Sequence, residues 1–243
     1  MTSAWFPLAP RTAKAPVRLF CFPFAGGGAS VFRGWERDLP PGVDVFAAQY
    51  PGHETRLAEA PFRELAPLLE SLDGAIAPLL DRPFAFFGHS MGAVVAFELA
   101  RKLRRENRAQ PKHLFVSARR APHLRPWRPS VHDKPDEELV AELRRIAATD
   151  PAVFEHPELM QLLLPIVRAD FRLVETHQHV EEAPLAIPIT AFAGKSDAVV
   201  RVDELAAWRE HTSGAFALHE IEGDHLFVRH ERAALLSAMG REL

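Results

Sequence analysis

Cysteine is almost missing from this chain: Cys21 is the single one among 243 residues. An internal disulfide is thereby excluded, and a reducing, cytoplasmic setting is the expectation. A strong charge of either sign is missing as well. Lys plus Arg number 29 against 32 Asp plus Glu, a formal charge of −3, so no overall field favours nucleic acid or an anionic membrane surface. No apolar run approaches the roughly 20 residues of a membrane helix. The opening MTSAWFPLAPRTAKAP has no basic region ahead of a sustained apolar stretch, which reads as a soluble, unprocessed chain. Internal repeats are absent, and the 21 prolines are scattered at element ends, not gathered in a low-complexity block.

What is present is a well-cored chain, 47% apolar, long enough for one large α/β domain. Short apolar runs of strand type alternate with stretches of helical spacing. VRLFCF, VDVFAAQY, PFAFFG, HLFVSA, IPITAFAG and FALHEIEG read as strands. Between and after them, VFRGWERDL, Glu64 to Leu80, Met91 to Glu106, DELAAWREH and Glu231 to Leu243 read as helices, with Leu65, Leu68, Leu69, Leu72, Ile76 and Leu79 on one face of the second. Such alternation predicts a mostly parallel sheet with helices on both faces. It lapses from Arg119 to Glu182, where an Arg- and Pro-rich stretch leads into DEELVAELRRI and PELMQLLLPIVRADFRLV. We read residues 119–182 as a helical insertion over the strand ends and residues 1–118 and 183–243 as the core.

The chemistry starts at Gly88-His89-Ser90-Met91-Gly92. A G-x-S-x-G spacing serves a sharp strand-to-helix turn that holds a serine strained and exposed, and nearby backbone must then lack side chains. FAFF supplies the strand, AVVAFELARKL the helix, and the Met91 N–H lies at the helix N-terminus, aimed at an oxyanion. A nucleophilic serine needs a base, and the base an orienting acid. His225 in IEGDHLFV and Asp197 in FAGKSDAVV both follow predicted strands, and the order Ser90, Asp197, His225 is that of α/β-hydrolases. By residue type alone His53, His89, His177, His179 and His219 also qualify as base. Asp170 in RADF is the rival acid, its helical setting favouring a salt-bridging role, and Asp224 beside His225 points elsewhere in an extended chain.

The glycine run in FAGGGAS follows the first strand and resembles the loop that donates a second oxyanion N–H in hydrolases; the expected donor is Ala25 N–H, with Phe24 as the alternative. As a phosphate cradle it lacks the Lys-Ser/Thr of a P-loop, and as a dinucleotide site the G-x-G-x-x-G spacing. His177-Gln178-His179 has no Cys or carboxylate signature nearby and reads as solvated surface, not as a metal pair. Cys21, inside an apolar strand, reads as a buried inert thiol.

Taken together, LFCFPFAGGGAS, QYPGHETRL, FFGHSMGA, SARRAP, LPIVRADFRLVETH, FAGKSDAVV and GDHLFV resemble the type II thioesterases, stand-alone editing enzymes of polyketide synthase and nonribosomal peptide synthetase pathways. The resemblance runs nearly end to end. It implies an α/β-hydrolase fold with a helical lid at residues 119–182, with Ser90 as nucleophile, His225 as base and Asp197 as its acid. It also implies hydrolysis of acyl groups from the phosphopantetheine arm of an acyl or peptidyl carrier protein by a monomer without a cofactor of its own. A general carboxylester hydrolase and a non-catalytic carrier-binding protein are the alternatives. One departure stands out: where the family usually has Arg after Pro-Gly, this chain has His53 in Pro51-Gly52-His53-Glu54-Thr55-Arg56. That leaves Arg56 at most a structural contact. Arg119, Arg120, Arg125 and Arg128 are the expected face toward an acidic carrier, and Phe154, Leu163 and Phe171 are candidates to bound an acyl pocket.

Overall fold

The computed structural model describes residues 3–10, 14–146 and 154–243. Six strands form one sheet: β1 (Val17–Phe22), β2 (Val43–Ala47), β3 (Phe84–His89), β4 (Leu114–Ser117), β5 (Ile189–Gly194) and β6 (Phe216–Ile221), in the order β2-β1-β3-β4-β5-β6. Every neighbouring pair is parallel. The strands are near-continuous apolar runs because both faces of the sheet are covered. On one face Phe20, Phe22, Phe84 and Phe86 pack into a core, and on the other Leu19, Cys21, Ala85 and Phe87 pack into a second, the two-residue alternation of a pleated strand.

The α-helices are α1 (Trp35–Asp38), α2 (Leu65–Ile76), α3 (Met91–Arg105), α4 (Asp136–Arg145), α5 (Pro157–Glu175), α6 (Val202–Ala206) and α7 (Arg232–Gly240). Two expected helices differ: DELAAWREH is α6 followed by a 3₁₀ stretch at Ala207–His211, and the first one, VFRGWERDL, is broken. It is split into a 3₁₀ turn at Ala29–Phe32 and the short α1, because Gly34 between them adopts φ 84°, a left-handed conformation that ends regular winding. Helix α5 continues through Pro165 at the loss of one backbone hydrogen bond; burial of Met160, Leu164, Ile166, Val167 and Leu173 along it offsets that loss. Part of the expected insertion, residues 147–153, lies outside the described residues.

The sheet reverses direction of growth at β1, which lies between β2 and β3. In open parallel sheets the crevice outside the carboxyl ends of the strands at such a reversal takes the ligand. The glycine run follows β1, Ser90 follows β3, Asp197 follows β5 and His225 follows β6, so all of the candidate chemistry leaves the same edge. Helix α3 packs closely enough there to decide the glycines: a Cβ on Gly92 would lie 1.9 Å from the Phe22 carbonyl oxygen, and one on Gly88 2.1 Å from that of Gly92. We expect Gly92→Ala to lower the unfolding free energy by about 3 kcal/mol, read by chemical denaturation.

Candidate active site

Ser90 occupies the corner between β3 and α3 with φ 53° and ψ −110°, backbone that costs a non-glycine residue about 1–3 kcal/mol. The corner is held from the neighbouring strand by Ser90 N–H donating to the Ser117 carbonyl at 2.8 Å. Ser90 Oγ lies 3.1 Å from His225 Nε2, and His225 Nδ1 lies 2.8 Å from Asp197 Oδ2. With a carboxylate on the Nδ1 side, the imidazole carries its proton there and offers Nε2 as acceptor to the Ser90 hydroxyl.

Asp197 is held from its other side too. Its Oδ1 accepts the amides of Val199 at 2.7 Å and Val200 at 3.1 Å, and its side chain is fully buried. Burial pushes this carboxyl up, but the hydrogen bond and charge of His225 and the two amides outweigh burial, and it stays below the ordinary aspartate value. Of the rival acids, Asp224 caps its own turn, accepting the Leu226 amide at 2.8 Å, and Asp170 meets His53, not His225.

His225 has a further support, one that residue type alone does not single out. His89, the variable residue of the G-x-S-x-G turn, is fully buried and donates Nε2–H to the His225 carbonyl at 2.7 Å. Its Nδ1 therefore accepts the Ser117 hydroxyl, 2.9 Å away. Desolvation first, and the nearby His225 second, pull the His89 pKa down to about 3, so it stays neutral and keeps this tautomer. Its position inside the motif was the available signal; its partner lies 136 residues away.

The glycine loop closes as a β-turn, Gly27 N–H donating to the Phe24 carbonyl at 2.9 Å, with Gly26 at φ 78°, as a type II turn requires at its third position. Among the described residues neither Ala25 N–H nor Met91 N–H donates to a protein acceptor; Met91 opens helix α3, where the first amides have no intrahelical partner. The QYPGHETR stretch grips this loop. Gln49 Oε1 accepts the Ala29 amide at 3.0 Å, Glu54 accepts both the amide and the hydroxyl of Ser30, and Asp170 Oδ2 accepts the Gly26 amide at 2.7 Å while meeting His53 Nε2 at 2.8 Å. Arg56 has the structural contact: it donates to the Gln49 carbonyl and to Glu59, and its guanidinium lies over Trp5.

Elsewhere several expectations change. Arg119 and Arg120 are half-buried, and Arg128 is half-buried and paired with Glu142, so Arg125 alone of the expected basic face is exposed. His177 and His179 are half-buried, not solvated: His177 faces Glu98 and His179 faces Arg101, because the buried Glu98–Arg101 pair draws them in. Among the described residues no group of three or more His, Cys, Asp or Glu could hold a metal ion, and no helix is long and apolar enough to cross a membrane. Cys21 is buried, and desolvation pushes its thiol pKa well up. Phe154 and Phe171 pack beside the core face that also holds Phe24 and Ala29, while Leu163 is half-buried.

Comparison with known proteins gives one family model, the thioesterase domain, matching residues 17–243. The chain is 42% identical to "Linear gramicidin dehydrogenase LgrE" of Brevibacillus parabrevis, over 97% of this chain and 90% of that one. Among solved structures it is similar to the RedJ thioesterase from the prodiginine biosynthetic pathway of Streptomyces coelicolor, at 39% identity and TM-score 0.89 over the whole of both chains. It is also similar to the type II thioesterase BorB from the borrelidin biosynthetic cluster, at 36% identity and TM-score 0.87, covering 100% of this chain and 98% of that one.

Proposed function

This chain belongs to the thioesterase family, and from that premise we propose that it releases aberrant or stalled acyl groups from the phosphopantetheine arm of acyl or peptidyl carrier proteins in polyketide or nonribosomal peptide assembly. The observation that carries the reading is the unbroken line from Ser90 Oγ to His225 Nε2 at 3.1 Å and from His225 Nδ1 to Asp197 at 2.8 Å. The Met91 amide follows Ser90 directly and the Ala25 amide follows β1, the strand next to β3; neither has a protein acceptor among the described residues.

In this reading Ser90 Oγ attacks the thioester carbonyl as its proton passes to His225 Nε2, and the new imidazolium rests against Asp197. The negative charge on the carbonyl oxygen is met by the Ala25 and Met91 N–H groups, which need no reorientation as it forms. Collapse expels the carrier thiol, which takes the proton from His225. Water, deprotonated by the same nitrogen, then attacks the acyl-enzyme and leaves a free acid. No step needs a cofactor.

Residues 119–182, with α4 and α5, are assigned to a lid over this edge, and residues 1–118 and 183–243 to the catalytic core. A cytoplasmic monomer completes the reading. The dehydrogenase activity in the name of LgrE is not carried over, because Gly26-Gly27-Gly28 lacks the dinucleotide spacing and is followed by a 3₁₀ turn in place of the long helix that such a site needs.

The test is intact-mass analysis of carrier proteins loaded with acyl groups of different lengths. We expect the acyl mass to disappear with wild-type protein while the pantetheine mass remains. A strong preference for simple oxygen esters over acyl-carrier would instead make it a general carboxylester hydrolase, and failure of a serine-directed phosphonate to label Ser90 would make it a non-catalytic carrier-binding protein.

A further inference from the structure

His53 and Asp170 are 4% and 3% exposed, and they join two segments 117 residues apart. His53 sits in the turn after β2 and Asp170 on α5. Both ring nitrogens of His53 face acceptors, Nδ1 the Pro51 carbonyl at 3.0 Å and Nε2 the Asp170 carboxylate at 2.8 Å. A neutral imidazole has one N–H and can satisfy only one of them; an imidazolium satisfies both. The same Asp170 oxygen accepts the Gly26 amide at 2.7 Å. Gly26 follows Ala25 directly, and a Cβ on it would lie 3.0 Å from Val167 of α5, so the helix rests on the loop at this point.

A turn with glycine at its third position can flip its central peptide at little steric cost. Here the central peptide joins Ala25 to Gly26, and the carboxylate of Asp170 selects the orientation in which the Gly26 N–H points at it. After a flip the Ala25 carbonyl would face that carboxylate, oxygen against oxygen. Resting on the acyl-transfer reading above, we propose that the His53–Asp170 ion pair is a positioning clamp that ties helix α5 to the oxyanion loop: by fixing the Ala25–Gly26 peptide it fixes the Phe24–Gly27 turn, and with it the preceding peptide that carries the Ala25 N–H. His53 and Asp170 touch no reacting atom; they act through Gly26.

The clamp is proton-dependent. Burial lowers the pKa of His53, but the charge and hydrogen bond of Asp170, the Pro51 carbonyl and the nearby Glu54 outweigh it and raise the pKa above the ordinary histidine value. Tyr50 also packs against the pair, its ring 6.0 Å from that of His53; burial first and Asp170 second push its hydroxyl well up, so it stays neutral. A raised folded-state pKa means that the clamp is fully made below the unfolded value of about 6.5 and is lost as pH rises through the folded one.

The deciding experiment is a histidine ¹⁵N NMR titration of the wild-type protein, with thioester hydrolysis measured over the same pH range. We expect both ring nitrogens of His53 to stay protonated above pH 6.5, and kcat to fall on the alkaline side with the midpoint of that titration. Asp170→Asn should lower kcat about 10- to 100-fold, the range of a displaced oxyanion donor, leave KM within about twofold, and move the alkaline limb to lower pH. His53→Gln should lose activity similarly, and His53→Arg, a permanent cation, should recover it and abolish the limb. A His53 ring that titrates at or below pH 6.5 in the wild type overturns the proposal, as does an Asp170→Asn alkaline limb that does not move. Absence of thioester hydrolysis by the wild type would overturn the functional reading instead, and leaves the ring titration to judge the ion pair by itself.

Discussion

Ser90→Ala should lower turnover of an acyl-carrier thioester by about 10⁴- to 10⁶-fold, because removal of the nucleophile closes the acyl-enzyme route altogether and leaves only binding and the oxyanion donors. Folding should not suffer. Ser90 holds φ 53°, and alanine carries the same Cβ penalty there, while the hydrogen bond that fixes the corner uses the Ser90 backbone N–H, not its hydroxyl. The expected result is thus a protein with wild-type thermal unfolding that still binds acyl-carrier, gives no acyl-enzyme mass and is not labelled by phosphonate. Retention of a tenth of wild-type turnover would remove Ser90 from the mechanism.

Asp197→Asn should cost about 10⁴-fold in kcat, and the surroundings of the carboxylate say why an isosteric change is so severe. One oxygen of Asp197 receives two amides, Val199 and Val200, and the other receives His225 Nδ1. An asparagine must turn its carbonyl toward the two amides, because its NH₂ group cannot accept from them. The NH₂ then faces His225, which has to present a bare Nδ1 and move its proton to Nε2. That proton points at Ser90 Oγ, where an acceptor is needed. KM should be nearly unchanged, since the acid touches no substrate. Activity within tenfold of wild type would show that His225 keeps its tautomer without Asp197, and would sink its assignment as the orienting acid.

Asp197 also makes stability depend on pH on the acid side. Its folded-state pKa is depressed, so its contribution to stability is present above the unfolded value of about 3.9 and is lost as pH falls through the lower folded one. The alkaline limit belongs to His53, which is raised.

Much of the arrangement is legible locally. A strand buried on both faces is an uninterrupted apolar run whether or not its neighbours are known, so β1 over Val17–Phe22 and β3 at Phe84–His89 can be read with nearly correct ends. The strand-to-helix turn at Ser90 is legible because its glycines answer a steric demand that local backbone creates. The chain order of Ser90, Asp197 and His225 follows from which strands they end. Helix α1 is shorter than its pattern for an equally local reason: apolar spacing from Val31 to Leu39 suits a helix, but Gly34 breaks it.

Selection among chemically equivalent side chains was not legible. Three aspartates and several histidines fitted by type, and their partners come from other elements, 28 residues apart for His225 and Asp197 and 117 for His53 and Asp170. The sequence by itself determined a parallel α/β sheet, a nucleophile corner and the edge where chemistry must gather, since these follow from periodicity and backbone sterics within a few residues. Only the tertiary structure decided which acid meets which imidazole, that His89 braces His225 through its carbonyl, and that His53 meets Asp170 across two elements. Those outcomes depend on the distance and desolvation of groups that packing brings together, and no local pattern encodes them.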